Sequence, residues 1–195
     1  VDEIHGLKAR PSETLYGLID SEDFTVPTII GTTTIPGKLL EPLMQRFGIQ
    51  MGLDYYTVQD LMVILDRSSK KLDVEPSMGA REHLAKVARG TPRIANRLLK
   101  RVRDYHGGAF DNTQAIAALN EWGIDKHGLD YWDRKYITAL KVVGGGPVGL
   151  SSLATYLGVD EAHVSSRIEP YLIRSLFVYR TTKGRVLSKR AAGIK

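Results

Sequence analysis

Gly90-Thr91-Pro92-Arg93 opens an apolar helical run and sets an arginine beside backbone N–H groups that already favour negative charge. Thr91 suits the N-cap and Pro92 the first turn, so the spacing predicts a capped helix over 92–105 with Arg93 at its mouth. A nucleotide phosphate fits that corner, and so does an ordinary capped helix with a solvated arginine. Asp2-Glu3 is a second candidate. An acidic pair at a strand end can hold Mg²⁺ with its first carboxylate and polarise an attacking water with its second, although such pairs are common. Gly31-Thr32-Thr33-Thr34, after a β-rich run over 25–31, offers hydroxyls at the next strand end. Arg46 ends an apolar helix, where an arginine is either a surface charge or a finger reaching a neighbouring subunit's nucleotide. Tyr55-Tyr56 either stacks on an adenine or fills a junction between domains.

The elements that must position these groups fall into three regions. Residues 1–56 alternate in the α/β manner: a strand end, a helix over 12–18, the β-rich run, a turn at Pro36-Gly37 and an apolar stretch over 39–47. Residues 57–125 form an all-helical bundle. Thr57 and Asp60 are spaced as a capping box, helices span 79–89 and 92–105, Gly107-Gly108 stops the latter, and Asn112 or Thr113 starts another helix with Trp122 buried. From 126 onward, helices over 131–143, 151–157 and 161–174 precede strands at 177–181 and 185–188, which is the order of a winged helix. Pro170 is expected to kink the third helix.

A chain of 195 residues with 43% hydrophobic content can bury a core in one domain or in two or three small ones. Zero cysteines exclude disulfides and thiolate metal sites and fit a reducing compartment, with the cytoplasm as the expectation. No apolar run reaches membrane-spanning length, so no membrane partner is expected. Charge is uneven: nine acidic against four basic residues over 1–60, but seven basic and no acidic residues over 171–195. A basic end of that kind points to nucleic acid, or else to a solvated tail. The first residue is Val1, and the opening segment reads as the end of a strand whose upstream part is absent, so a fragment is expected.

The motifs GTPRIANRLLKRVRDY, DRKYITAL, GGGPVGL, EPYLIRS and RTTKGRV, in this order, closely resemble the Holliday-junction branch-migration motors of the RuvB family, which are AAA+ ATPases. The resemblance covers essentially the whole chain. It implies an α/β remnant of an AAA+ ATPase core (1–56), an all-α lid domain (57–125) and a winged-helix head (126–195). It also implies ATP and Mg²⁺ as cofactors, with Asp2 (the Mg²⁺ carboxylate) and Glu3 as the Walker B pair. Thr33 or Thr34 falls at the sensor-1 position, Arg46 at the trans-acting finger, Tyr56 in the adenine pocket, Pro92 in the ATP corner and Arg93 at sensor 2. Arg180 and Arg185 fall on the wing arginines that meet DNA, with Lys183 at the wing tip. The implied partners are double-stranded DNA, Holliday junctions, further copies in a hexameric ring, and a RuvA-like protein. The stretch between Glu3 and Gly31 is shorter than the family's, where the hairpin that docks RuvA is inserted, and Ile35 replaces the family's sensor-1 arginine. These 195 residues contain no Gly-x-x-x-x-Gly-Lys-Ser/Thr loop, so on their own they are expected not to turn over ATP. The alternative function is a non-catalytic winged-helix DNA-binding protein or a degenerate AAA+ relative.

Overall fold

The computed structural model describes residues 1–21 and 28–194, with the backbone alone for Ala9 and Arg10. It divides into two compact units, Val1–Asp54 and Tyr55–Lys195.

In the first unit, α1 (Ala9–Ile19) and α2 (Glu41–Arg46) pack around Ile4, Leu15 and Leu43. Among the described residues of this unit no strand forms. Part of the β-rich run expected over 25–31 lies outside them. What remains of a sheet is a slanted, parallel set of backbone bonds: the Val1 amino group donates to Ile30 O at 2.6 Å, Thr32 N–H to Val1 O at 2.9 Å, and Ile4 N–H to Thr32 O at 2.9 Å. That pairing sets the threonine run beside Asp2-Glu3.

The second unit begins at Tyr55 because the tyrosine pair is bonded to the helical bundle on its C-terminal side. Tyr56 N–H donates to Gly90 O at 3.0 Å. Helix α3 (Val58–Leu72) opens with the Thr57/Asp60 capping box that the spacing predicts. Helices α4 (Met78–Val87), α5 (Pro92–His106) and α6 (Asn112–Glu121) complete the bundle. The apolar stripe of α5, Ala95, Leu98, Leu99 and Val102, follows the helical repeat and is fully buried. Two expectations are corrected here and one is met. Thr91 occupies the N-cap position without capping, because its hydroxyl turns back to Arg89 O. Helix α6 starts at Asn112, one of the two expected starts, and Asp111 caps it, since its carboxylate and Gln114 satisfy each other's backbone N–H. Trp122 is 37% exposed instead of buried, because Ala115, Ala118 and Leu119 fill the inner face of α6. The bundle also carries a short parallel pair, β1 (Glu75–Pro76) with β2 (Ala109–Phe110).

Beyond it, α7 (Tyr131–Val142) starts at an Asp130/Asp133 capping box and α8 (Leu150–Leu157) ends at Gly158. The third helix is interrupted: α9 (Glu161–His163) runs into a π-helical turn (Val164–Ile168) and then α10 (Glu169–Arg174). Pro170 lacks an N–H and its ring crowds the carbonyl four residues back, and the wider turn before it accommodates both. Strands β3 (Val178–Thr181) and β4 (Gly184–Leu187) form an antiparallel hairpin, with Arg180 directly opposite Arg185, and Val148 bridges to Arg185 as a third short rung. Tyr136, Leu140, Leu153, Ile168, Leu172 and Phe177 form the core beneath it.

Candidate nucleotide corner and DNA-binding head

In the first unit each threonine of the run has a partner. Thr32 Oγ1 donates to Asp2 Oδ1 at 2.6 Å, and Thr34 Oγ1 lies 3.1 Å from both oxygens of Glu3. Thr33 Oγ1 is 2.8 Å from His5 Nδ1, which in turn lies 3.1 Å from Glu3 Oε2. The structure therefore brings Asp2, Glu3, Thr33 and Thr34 together and adds Thr32 and His5. The signal for His5 was its place two residues after Glu3. Glu3 holds a left-handed conformation (φ 48°), which costs a non-glycine residue about 1–3 kcal/mol and turns its carboxylate toward the threonines. Among the described residues no three His, Cys, Asp or Glu side chains cluster as a metal cage. One carboxylate beside a hydroxyl is nonetheless an all-oxygen set of the kind that suits Mg²⁺, whose remaining positions are taken by water and phosphate.

Arg46 is engaged within its own unit. Its Nε donates to Asp20 Oδ2 at 2.8 Å, Nη1 donates to Pro42 O at 2.9 Å, and the guanidinium lies 4.6 Å from the Tyr16 ring centroid.

In the second unit, Gly90 has φ +70°, and a Cβ there would lie 2.8 Å from Tyr55 Cβ, so only glycine lets the tyrosine pair lie along the Gly90–Arg93 turn. Tyr56, Pro92 and Arg93 thus border one corner. Arg93 is exposed and has no hydrogen-bond or ion-pair partner among the described residues. The corner joins the head through residues that sequence reasoning missed. Arg89, itself left-handed (φ 56°), donates to Gly128 O and, at 2.5 Å, to the buried carboxylate of Asp133, and it lies over the Tyr171 ring. Arg174 donates back to Arg89 O at 2.6 Å. Burial pushes the Asp133 carboxyl up to about 6, against the opposing pull of Arg89.

On the head, Arg180 and Lys183 are exposed, whereas Arg185 is 11% exposed and bonded to the buried Glu169. The two arginines expected to meet DNA are thus unlike in their surroundings: one face of the hairpin packs on α10, and Arg185 points into it. Burial and the neighbouring Glu169 push the Tyr136 phenol far above its usual range, which keeps it a donor to that carboxylate. Ser165 and Ser166, on the third helix of the head, both donate to carbonyls of their own helix. Among the described residues no helix is long and apolar enough to cross a membrane.

A capped four-helix bundle with an arginine at one helix mouth, leading into a three-helix unit with a β-hairpin wing, is the architecture of an AAA lid domain followed by a winged-helix domain. Residues 56–125 match the RuvB AAA lid domain, and residues 126–194 match the RuvB C-terminal winged helix domain. The Holliday junction branch migration motor RuvB of Thermotoga maritima is 41% identical and superposes with a TM-score of 0.82 over 97% of this chain and 66% of that one. A proline-to-glycine variant of the Thermotoga protein gives 41% identity and a TM-score of 0.80, covering 97% of this chain and 67% of the other. The chain belongs to the RuvB family, and it spans about two thirds of the length of these solved relatives.

Proposed function

We propose that this chain is the lid, the head and part of the ATPase core of a motor subunit that translocates double-stranded DNA at Holliday junctions, driven by ATP. The observation that carries the reading is the continuous set of contacts from the Gly90–Arg93 turn through Tyr55, Arg174 and Arg89 to the base of a basic winged head. A protein that only binds DNA has no use for an unpaired arginine at a helix mouth tied to its DNA-binding head.

In this reading Asp2, beside the Thr32 hydroxyl, holds Mg²⁺, which when bound neutralises charge on the phosphates. Glu3 accepts a proton from the attacking water, and Thr34 orients its carboxylate. Tyr56 borders the adenine, and Pro92 and Arg93 close the corner on the phosphates. Arg46 leaves Asp20 to reach the nucleotide of the next copy in a hexameric ring. Arg180 and Lys183 hold phosphates of the duplex. A RuvA-like partner would load the ring on a junction.

The test is phosphate release by this chain joined to a P-loop domain of the kind the AAA+ resemblance implies. Release stimulated by duplex DNA and abolished by Glu3→Gln is expected. Tight DNA binding with no release in the extended chain would favour a non-catalytic DNA-binding protein instead.

A further inference from the structure

The two wing arginines are register partners, yet their surroundings differ. Arg185 gives Nε to Glu169 Oε1 at 2.7 Å and Nη2 to Oε2 at 3.2 Å. Arg180 is 59% exposed, and its Nε lies 3.8 Å from Glu169 Oε2, too far for a hydrogen bond. Glu169 is 1% exposed, and its Oε1 also accepts from the fully buried Tyr136 hydroxyl at 2.8 Å. A buried carboxylate must be compensated, and a two-pronged guanidinium with a phenol does so here. The Arg185 backbone is committed as well. It exchanges bonds with Val148, N–H to O at 2.8 Å and O from N–H at 3.0 Å. A Cβ on Gly184 would lie 2.5 Å from Val148 O, and one on Gly146 would overlap Arg185 O, so the glycine-rich segment closes on the wing only because both side chains are absent.

We propose that Glu169 is the positioning residue of the wing: it holds Arg185 as an internal strut that sets the hairpin on α10, and it leaves Arg180, with Lys183 at the tip, to meet DNA phosphate. The inference rests on the reading of the head as a duplex-binding module. For Arg185 to reach a phosphate it would have to leave a buried carboxylate without its main partner, whereas Arg180 gives up only a long, solvated contact. Glu169 Oε2 draws Arg180 toward the wing when no phosphate is near. A phosphate takes Arg180 away without uncovering the carboxylate, because Arg185 stays.

Two measurements on the 195-residue chain test this. The first is fluorescence anisotropy with labelled duplexes of unrelated sequence over a range of NaCl concentrations. Arg180→Ala should reduce the slope of log affinity against log salt by about one unit, and the double substitution Glu169→Gln/Arg185→Gln should leave it unchanged. A one-unit loss in the double variant, with its unfolding transition intact, would make Arg185 a phosphate contact and overturn the proposal. The second is hydrogen exchange. Glu169→Gln should speed exchange of the Val148, Arg185 and Leu187 amides severalfold, and unchanged exchange would show that Glu169 positions nothing. A parent chain that fails to bind any duplex would defeat the reading of the head as a DNA-binding module, while the exchange measurement would still decide whether the strut exists.

Discussion

The guanidinium of Arg174 lies 3.4 Å from the ring centroid of Tyr55, and the same group donates to the carbonyl of Arg89. Lid and head therefore share a joint in which one arginine from each side is committed to the other. Gly128 completes it. Its φ is +73°, and a Cβ there would lie 2.7 Å from Val87 O.

Breaking that joint has a definite expected cost. Arg89→Ala leaves the Asp133 carboxylate buried without its cation, for a loss of about 3–5 kcal/mol. Tyr55→Ala removes only the exposed cation–π contact, for about 0.5–1 kcal/mol. Urea unfolding of the two variants should rank them in that order. Equal losses would mean that the joint is held by the stacking and not by the buried pair.

Asp133 also gives the joint a pH dependence. Its proton is held up to about 6 in the folded chain, above the ordinary carboxylate range, so folding is favoured by the protonated form. The contribution is fully present below the unfolded value and is lost as pH rises through about 6. Relative to Asp133→Asn, the parent should therefore lose roughly 3 kcal/mol at most between pH 4 and pH 7. Unfolding free energies at several pH values check this. A parent that gains on the variant over that range would show that Arg89 outweighs burial.

Arg46 and Glu3 are expected to act in different copies of one ring. In the extended, P-loop-bearing chain, Arg46→Ala and Glu3→Gln should each stop turnover, and mixing the two variants should restore part of it at interfaces that unite one intact finger with one intact carboxylate pair. No recovery in well-mixed rings would assign Arg46 to the Asp20 contact it makes within its own unit.

Gly90→Ala should destabilise the second unit by about 1–3 kcal/mol, since it combines a positive φ with a clash against Tyr55. Gly52→Ala, with open space around it, should stay within about 0.5 kcal/mol. Thermal melts of the pair separate backbone conformation from composition, and equal shifts would deny the close approach of Tyr55 to the turn.

What was legible in the sequence was local. The α5 stripe repeats every three to four residues, the Thr57/Asp60 box closes within one turn, and the hairpin turn at Thr182-Lys183 lies between its own strands, so each is set by neighbours a few positions away. The order of motifs was enough to place the lid and the winged head. Where the sequence misled at Thr91, the competing partner was also local: the Arg89 carbonyl took its hydroxyl. The fate of the charges was decided only by tertiary structure. Arg180 and Arg185 are equivalent arginines beside one turn until α10 brings Glu169 to one of them, and Arg89 looks like a helix-end charge until Asp133, 44 residues on, is buried against it. A guanidinium is long, permanently charged and satisfied by any nearby acceptor. Its own sequence context says that it must find a partner, and only the folded chain determines whether that partner is a buried carboxylate or is left to be a phosphate.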